Sequence, residues 1–252
     1  MNLGIIQARM GSTRLPGKVL VDIHGKSLIE HCIERLSFSK KIDKWVVATT
    51  TESIDDSIVM ACTKIGVECY RGSEWDVLDR FYQTSISQTE TPDTVVRICC
   101  DNPIHHGEIV DYAIEQFTLF ATDYFSNGNE GPLYSEDGIT TEVFTFASLK
   151  QAWTEAKLLS EREHVTPYIK KSGKFSCAWR KYSSLYNFKL SVDTPNDLIL
   201  CKKIFEELGD QFSINDLIAF LQNNPALLKL NEDSILNEGY LKSIKEDKIV
   251  KE

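Results

Sequence analysis

The stretch that most constrains this chain is its first loop, Gly4-Ile5-Ile6-Gln7-Ala8-Arg9-Met10-Gly11-Ser12-Thr13-Arg14-Leu15-Pro16-Gly17-Lys18-Val19-Leu20. Leu3 to Gln7 is an apolar run too short for a helix and reads as a buried strand. The loop after it holds two glycines, one proline, two hydroxyls and three cations, Arg9, Arg14 and Lys18. Gly11 and Gly17 permit positive φ and let backbone N–H groups from Ala8 onward converge on an anion. The cations supply charge-assisted hydrogen bonds to phosphate oxygens. This pattern describes a triphosphate cradle. Its plain alternative is a basic surface turn, and the rest of the chain has to separate the two.

Two familiar phosphate loops are excluded by spacing. A Walker loop places four residues between Gly and Gly-Lys, with Ser or Thr next. Here five residues separate Gly11 from Gly17, and Val19 follows Lys18. The dinucleotide fingerprint GxGxxG is absent as well.

A chain of 252 residues suits one large α/β domain with at most a small appendage. No apolar run reaches membrane-spanning length, and the chain enters a strand at once, with no signal peptide expected ahead of it. Seven cysteines form an odd set without CxxC spacing, which favours reduced thiols in a cytoplasm over disulfides or zinc. The net charge of −9 comes without a basic stripe, so nucleic acid is not the expected partner. Three cations in one glycine-containing loop of an acidic chain point to a small anionic ligand.

Strand and helix alternate from there. Ser27-Leu28-Ile29-Glu30 is a capping box opening a helix whose apolar stripe is Leu28, Ile29, Cys32, Ile33 and Leu36. Lys44 to Thr49 is a second strand. A helix from Asp55 buries Ile54, Ile58, Ala61, Cys62 and Ile65 and stops at Gly66. Val67 to Tyr70 is a third strand, and Thr94 to Cys99 a fourth. The spacing predicts βαβ units around a mainly parallel sheet, with ligands beyond the carboxyl ends of its strands.

Several carboxylates therefore fall on one rim. Asp76, Asp79 and Arg80 follow the third strand and either face a nucleobase or pair Asp76 with Arg80 along a helix. Asp101 follows the fourth strand, where a carboxylate opposite a phosphate loop suits magnesium; a turn-stabilising role before Pro103 is the alternative. His105 and His106 are adjacent and point apart, which disfavours a shared metal.

Glu108 to Phe117 reads as a helix and Asp123 to Ser126 as a fifth strand. Asn127 to Gly138 is a long polar loop of the kind that carries substrate contacts. Thr140 to Phe146 alternates like a half-buried strand, and Ser148 caps the next helix. Glu161-Arg162-Glu163-His164 is a charged cluster that a solvated helix face explains. Asn187 to Val192 reads as a late strand ending at Asp193, before Thr194-Pro195-Asn196-Asp197 opens a helix. Asp193 thus sits at a strand-to-helix junction, as Asp101 does. Two rim carboxylates and a triphosphate loop make the constellation that metal-assisted nucleotidyl transfer requires.

With these pieces in place the chain resembles the SpsF-like cytidylyltransferases of spore-coat and surface polysaccharide synthesis. These are relatives of the enzymes that make CMP-activated sialic acid and CMP-activated ketodeoxyoctulosonate. The carrying stretches are IIQARMGSTRLPGKVL, VVATT, RGSEWDVLDRF, DYFSN, EVFTF, REHVTPYI and SVDTPNDL, with NEGYLKSIKED in the tail. The resemblance implies a three-layer α/β fold with a mainly parallel mixed sheet, nucleotide-diphosphosugar-transferase-like, often dimeric, using CTP and magnesium. It implies a nucleotidyltransferase domain over 1–209, in which 127–146 forms an acceptor or dimer loop and strand, and a helical tail over 210–252.

It further implies metal binding by Asp101 and Asp193 and a nucleotide loop of Arg9, Gly11, Ser12, Arg14 and Lys18; Ala8, Asp76 and Asp79 are the other nucleotide-binding candidates. Arg14, Lys18, Asp101 and Asp193 carry the catalysis, and Glu142, Arg162 and His164 are candidates for the acceptor. Two stretches depart from the relatives' pattern. Cys100 to Gly107 stands where relatives commonly read ADCPLIDP, and Gly138 to Glu142 where many read GLDVE. Both are expected to meet the acceptor. The implied reaction is attack by an acidic sugar or related acid on the α-phosphorus of CTP, without nucleic acid or membrane, in a cytoplasmic homodimer. The alternatives are a glycosyltransferase of related fold, which usually carries Asp-x-Asp where this chain has Asp101-Asn102-Pro103, and a non-catalytic nucleotide-binding partner.

Overall fold

The structure, a computed structural model, describes residues 1–128, 137–182, 188–234 and 238–250. Its centre is a seven-stranded sheet: β1 (Asn2–Gln7), β2 (Lys44–Thr50), β3 (Glu68–Gly72), β4 (Thr94–Cys99), β5 (Tyr124–Ser126), β6 (Glu142–Thr145) and β7 (Cys177–Trp179). The spatial order is β3-β2-β1-β4-β6-β5-β7. β3, β2, β1 and β4 run parallel, β6 lies antiparallel to both β4 and β5, and β7 pairs parallel with β5. The mainly parallel mixed sheet expected from the alternation is present.

Each face of the sheet is apolar, because a parallel sheet is covered on both sides. On one face Ile6, Val47, Val96 and Ile98 pack against α1 (Leu28–Leu36), α2 (Asp56–Ile65), α4 (Gly107–Phe120), α8 (Pro195–Leu208) and α9 (Ile214–Asn223). On the other, Leu3, Ile5, Val46 and Val95 pack against α3 (Val77–Ile86), α5 (Phe146–Glu155) and α7 (Pro167–Lys171). The short α6 (Leu159–His164) lies against α3, and α10 (Glu238–Lys245) lies against α6. Phe212, Ile214, Leu217 and Leu221, beyond the 209 boundary, join the first of these cores.

The local signals hold at several element ends. Ser27 and Glu30 cap each other at the start of α1, and the predicted stripe is buried. Gly66 ends α2 at φ 81°, a left-handed conformation that costs glycine nothing. Thr194 and Asp197 cap α8 reciprocally, with Pro195 in its first turn. Among the described residues no helix is long and apolar enough to cross a membrane.

Four local expectations are corrected. Ile54 is exposed, because Ser53–Asp55 forms a separate 3-10 turn out of phase with α2. Thr145, not Ser148, caps α5; its side chain accepts from the Ser148 N–H. The expected late strand is absent over 188–192, its first residue Asn187 lying outside the described residues. There the N–H groups of Leu190 and Ser191 donate to the Asp137 carboxylate, and that of Val192 to the Asp101 carbonyl. Side-chain acceptors have replaced a neighbouring strand. Finally, the 161–164 cluster is not a solvated face, since Arg162 is buried. Most of the predicted 127–138 loop lies outside the described residues.

Candidate active site

β1 has β2 on one side and β4 on the other, so the connections leaving β1 and β4 diverge at a switch point where α/β sheets bind ligands. The first loop leaves β1 here, and Asp101 follows β4. The loop is pinned from below: the Ala8 N–H donates to the Ala48 carbonyl at 3.2 Å and the Met10 N–H to Asp55 Oδ1 at 2.7 Å. Asp55, read from the sequence only as a helix start, is buried and also accepts from Thr50 Oγ1. Gly17, at φ 71°, turns the chain into a 3-10 turn that begins at Lys18. Gly11 is not among the glycines with positive φ, and a Cβ there would meet only Glu74 Oε1, at 3.8 Å. Its value is the open space above it.

Lys18 leads inward. Its Nζ donates to Asp101 Oδ2 at 2.9 Å, to Asp193 Oδ1 at 2.8 Å and to the Val192 carbonyl at 2.9 Å. Burial opposes the ammonium charge, but Asp101 and Asp193 outweigh it and hold the Lys18 pKa above its ordinary value. The Asp193 carboxyl is likewise held well below the usual range: burial works against its charge, and Lys18, Lys189 and Arg14 prevail. Arg14 Nη2 lies 3.1 Å from Asp193, while its Nη1 donates to Glu238 at the start of α10 at 2.6 Å. Lys189 Nζ reaches Asp193 at 3.3 Å and Asp197 at 2.9 Å.

The sequence thus placed Lys18, Arg14, Asp101 and Asp193 in one constellation, and the structure brings all four together. Lys189 and Glu238 complete it and were missed; a lysine inside SVDTP's apolar approach was the available signal for the first. Among the described residues no group of three or more His, Cys, Asp or Glu converges on one point. Magnesium does not need one, since it takes one or two carboxylates plus phosphate oxygens and water. Asp101 and Asp193 already share a single cation, the Lys18 ammonium, so this donor pair fits a divalent ion.

A second charged group sits further down β4 on the opposite face. Arg97 Nε donates to Gln7 Oε1 at 3.0 Å, and Nη1 pairs with Glu142 Oε2 across the antiparallel β4–β6 register. Glu142 Oε1 accepts from Tyr124 Oη at 2.6 Å, Thr166 Oγ1 at 2.7 Å and Lys170 Nζ at 3.4 Å. Burial resists the Glu142 charge, yet Lys170, Arg97 and these hydroxyls hold its pKa well below normal. Burial, with Arg97 and Lys170 adding to it, lowers the neighbouring His164 imidazole to about 3. On the same strand, burial pushes the Cys99 thiol up to about 12.

The remaining candidates are placed as follows. Arg9 is partly exposed, 3.9 Å from Glu74, and Ser12 Oγ accepts from the Leu15 N–H within the loop. Asp76 caps α3 and receives Arg162, whose Nε lies 2.9 Å from both carboxylate oxygens. Asp79 accepts from Trp153 Nε1 at 2.8 Å. Arg80 is buried and donates to the Ser73 carbonyl, so no Asp76–Arg80 pair forms. His164 Nε2 meets Ser243 Oγ on α10 at 2.9 Å. His106 caps α4, whereas His105 turns inward to Thr141 Oγ1 at 2.9 Å. Both His105 and Thr141 are fully buried, so the two departing stretches meet each other in the core at these positions, not the acceptor.

A cation-lined loop and two convergent carboxylates at the switch point of a parallel sheet define a nucleotidyltransferase-type site. The family model for cytidylyltransferases matches residues 3–230, and the chain belongs to that family. It is 33% identical over 245 residues to the spore coat polysaccharide biosynthesis protein SpsF of Bacillus subtilis, covering 88% of this chain and 95% of that one. It is 37% identical over 111 residues, 44% of each chain, to the 3-deoxy-manno-octulosonate cytidylyltransferase of Anaeromyxobacter dehalogenans. A solved cytidylyltransferase from Leptospira borgpetersenii superposes with a TM-score of 0.82 at 30% identity, covering 90% of this chain and 96% of that one.

Proposed function

We propose that the protein transfers CMP from CTP to an acidic sugar, releasing pyrophosphate, in the synthesis of a surface polysaccharide. The observation that carries this reading is the convergence of Asp101 and Asp193 on one cation beside the loop that leaves β1. Family membership and the name of the Anaeromyxobacter relative support CTP as donor and a sugar acid as acceptor, and the name of SpsF supports polysaccharide synthesis.

Asp101 and Asp193 would hold magnesium, which supplies charge neutralisation and polarisation at the phosphates when bound. The protein's own part is charge and position. Backbone N–H groups around the open face of Gly11 and the Arg9 guanidinium receive phosphate oxygens. Arg14 and Lys18 offset the charge that grows on the pyrophosphate leaving group as the acceptor oxygen attacks in line. The seven free cysteines support a reducing, cytoplasmic setting. We place a homodimer contact near 127–146, which sedimentation at micromolar concentration tests.

The deciding experiment incubates the protein with CTP, magnesium and a panel of acidic sugars, reading CMP conjugates by mass spectrometry and pyrophosphate by a coupled assay. A CMP-sugar acid is the expected product. Release of a nucleotide from a supplied nucleotide-sugar, with no pyrophosphate from CTP, would replace this reading with glycosyl transfer.

A further inference from the structure

Asp193 ends a segment that has no strand ladder to hold it. Over 188–192 the backbone is irregular, so the orientation of the carboxylate that follows has to come from side chains. One side chain supplies it from within the segment. Lys189 is buried, and its Nζ lies 3.0 Å from the Ser191 carbonyl, 3.1 Å from Ser191 Oγ, 3.3 Å from Asp193 Oδ2 and 2.9 Å from Asp197 Oδ2. Asn231, at the end of the 3-10 segment Pro225–Asn231, fixes this arrangement. Its Nδ2 donates to the Lys189 carbonyl and to Asp197 Oδ1, each at 2.8 Å. Asp197 in turn accepts from the Asp193 and Thr194 N–H groups at 3.0 and 2.8 Å, which ties the knot to the start of α8.

The two oxygens of Asp193 are thereby divided. Oδ1 faces the nucleotide loop, where Lys18 Nζ lies at 2.8 Å and Arg14 Nη2 at 3.1 Å. Oδ2 faces inward, held by Lys189 and by Ser191 Oγ, which donates to it at 3.3 Å. Pairing with the buried Asp197 accounts for the charge of Lys189, but not for its reach to Oδ2 of the carboxylate that points at the rim. Magnesium demands near-ideal octahedral geometry and is bound through few carboxylates, whereas calcium takes more oxygens in a looser shell and readily uses both oxygens of one carboxylate. With Oδ2 occupied, Asp193 offers a single oxygen.

We propose that Lys189 is a positioning residue that makes Asp193 a one-oxygen ligand, so that the site prefers magnesium to calcium. The inference rests on the CTP-dependent reading above and adds the origin of its metal selectivity. Ser191 Oγ assists Lys189 on the same oxygen, and Asn231 keeps the ammonium in place.

The test uses the full chain saturated with CTP and reads the melting temperature as magnesium or calcium is titrated in. An ion that binds the folded protein raises that temperature by an amount set by its dissociation constant. Lys189→Met keeps the length of the side chain and removes the ammonium. Loss of one positive charge favours both divalent ions alike, and the affinity of CTP itself for each ion enters parent and variant alike. The ratio of the two responses therefore reports orientation. The parent should favour magnesium, and Lys189→Met should lose about tenfold of that preference, the scale for a group that holds a metal ligand in place. Ser191→Ala keeps the charge and should shift the ratio the same way by about threefold, the scale of one neutral hydrogen bond. A parental ratio in well-folded Lys189→Met overturns the proposal; if that variant does not fold, a parental ratio in Ser191→Ala overturns it. Calorimetric titration with CTP separates the two levels. A parent that binds CTP but responds equally to both ions loses this inference alone, whereas a parent that binds no CTP removes the functional reading on which it stands.

Discussion

The sheet carries two charged groups of opposite balance, one at its rim and one further down β4. Around Asp193, three cations (Lys18, Arg14, Lys189) meet four carboxylates (Asp101, Asp193, Asp197, Glu238), an excess of negative charge. Around Glu142, two cations meet one carboxylate. A group rich in carboxylates cannot receive a triphosphate until a further cation joins it. A group rich in cations can receive an anion directly. The composition of the first therefore suits a divalent cation and phosphate together. Arg14 is shared between Asp193 and Glu238, so α10 belongs to the electrostatics of the first group although it lies far along the chain.

The sharpest way to break this contrast is to neutralise the first group. Asp101→Asn and Asp193→Asn each keep size and most hydrogen bonding. If both carboxylates hold the metal on the phosphates, each single variant should lose turnover by roughly a hundredfold or more. The double variant should lose little beyond the worse single one, because groups that act as a unit are not additive. Turnover across a magnesium series, with melting as a folding check, measures it. Near-parental turnover in either well-folded single variant removes that residue from the metal site. Chelation of divalent ions from the parent should abolish turnover while changing the melt little, since Lys18 already bridges the two carboxylates.

Removing Lys18 sharpens the contrast from the other side. Lys18→Ala leaves two facing carboxylates without their shared partner, a loss on the order of 2 kcal/mol that should lower the melt by several degrees. It should also weaken CTP binding. Magnesium alone, without nucleotide, should then stabilise the variant more than it stabilises the parent. Equal magnesium responses in the two proteins would show that the carboxylates do not act as a cation site.

Much of the first group was legible because its members stand at punctuated positions: a loop with Gly and Pro, a carboxylate after a strand, a carboxylate before a capped helix. Each has a local signature independent of tertiary contacts. The second group was legible only in part. Glu142 and His164 were named, but Arg97 and Lys170 were not, because pairing of β4 with the distant, antiparallel β6 creates the contact and sequence spacing does not encode it. The lone charge in an apolar strand was the overlooked sign. Asp76 and Arg162 mislead in the opposite direction. Their charges look available in sequence, yet they face each other, 86 positions apart. The departures at His105 and Thr141 belong with them. There this chain has a buried polar pair joined by one hydrogen bond.

That buried pair yields the smallest of the expected effects, on stability alone. His105 is fully buried, with Nε2 on Thr141 and Nδ1 unpaired, and burial lowers its pKa to about 3. In the unfolded chain an imidazole titrates near about 6.5. Between these two values the unfolded state binds the proton that the folded state refuses, so unfolding is favoured as pH falls, and stability rises with pH across the window. His164, lowered to about 3 as well, acts with the same sign. The melting temperature should therefore drop by on the order of 5 °C as pH falls from about 6.5 toward about 5. His105→Gln keeps a donor for Thr141 but cannot titrate, and it should flatten part of that slope while leaving the melt near pH 8 little changed. A variant with the full parental slope would assign the acid sensitivity to His164 and His106, whose imidazoles burial also lowers. Because Glu142 and Asp193 are held well below their usual range, the stability they contribute is present above about pH 5 and is lost only as pH falls below that, where the unfolded carboxyls start to protonate. A melt series between pH 5 and pH 8 thus isolates the histidines from both charged groups.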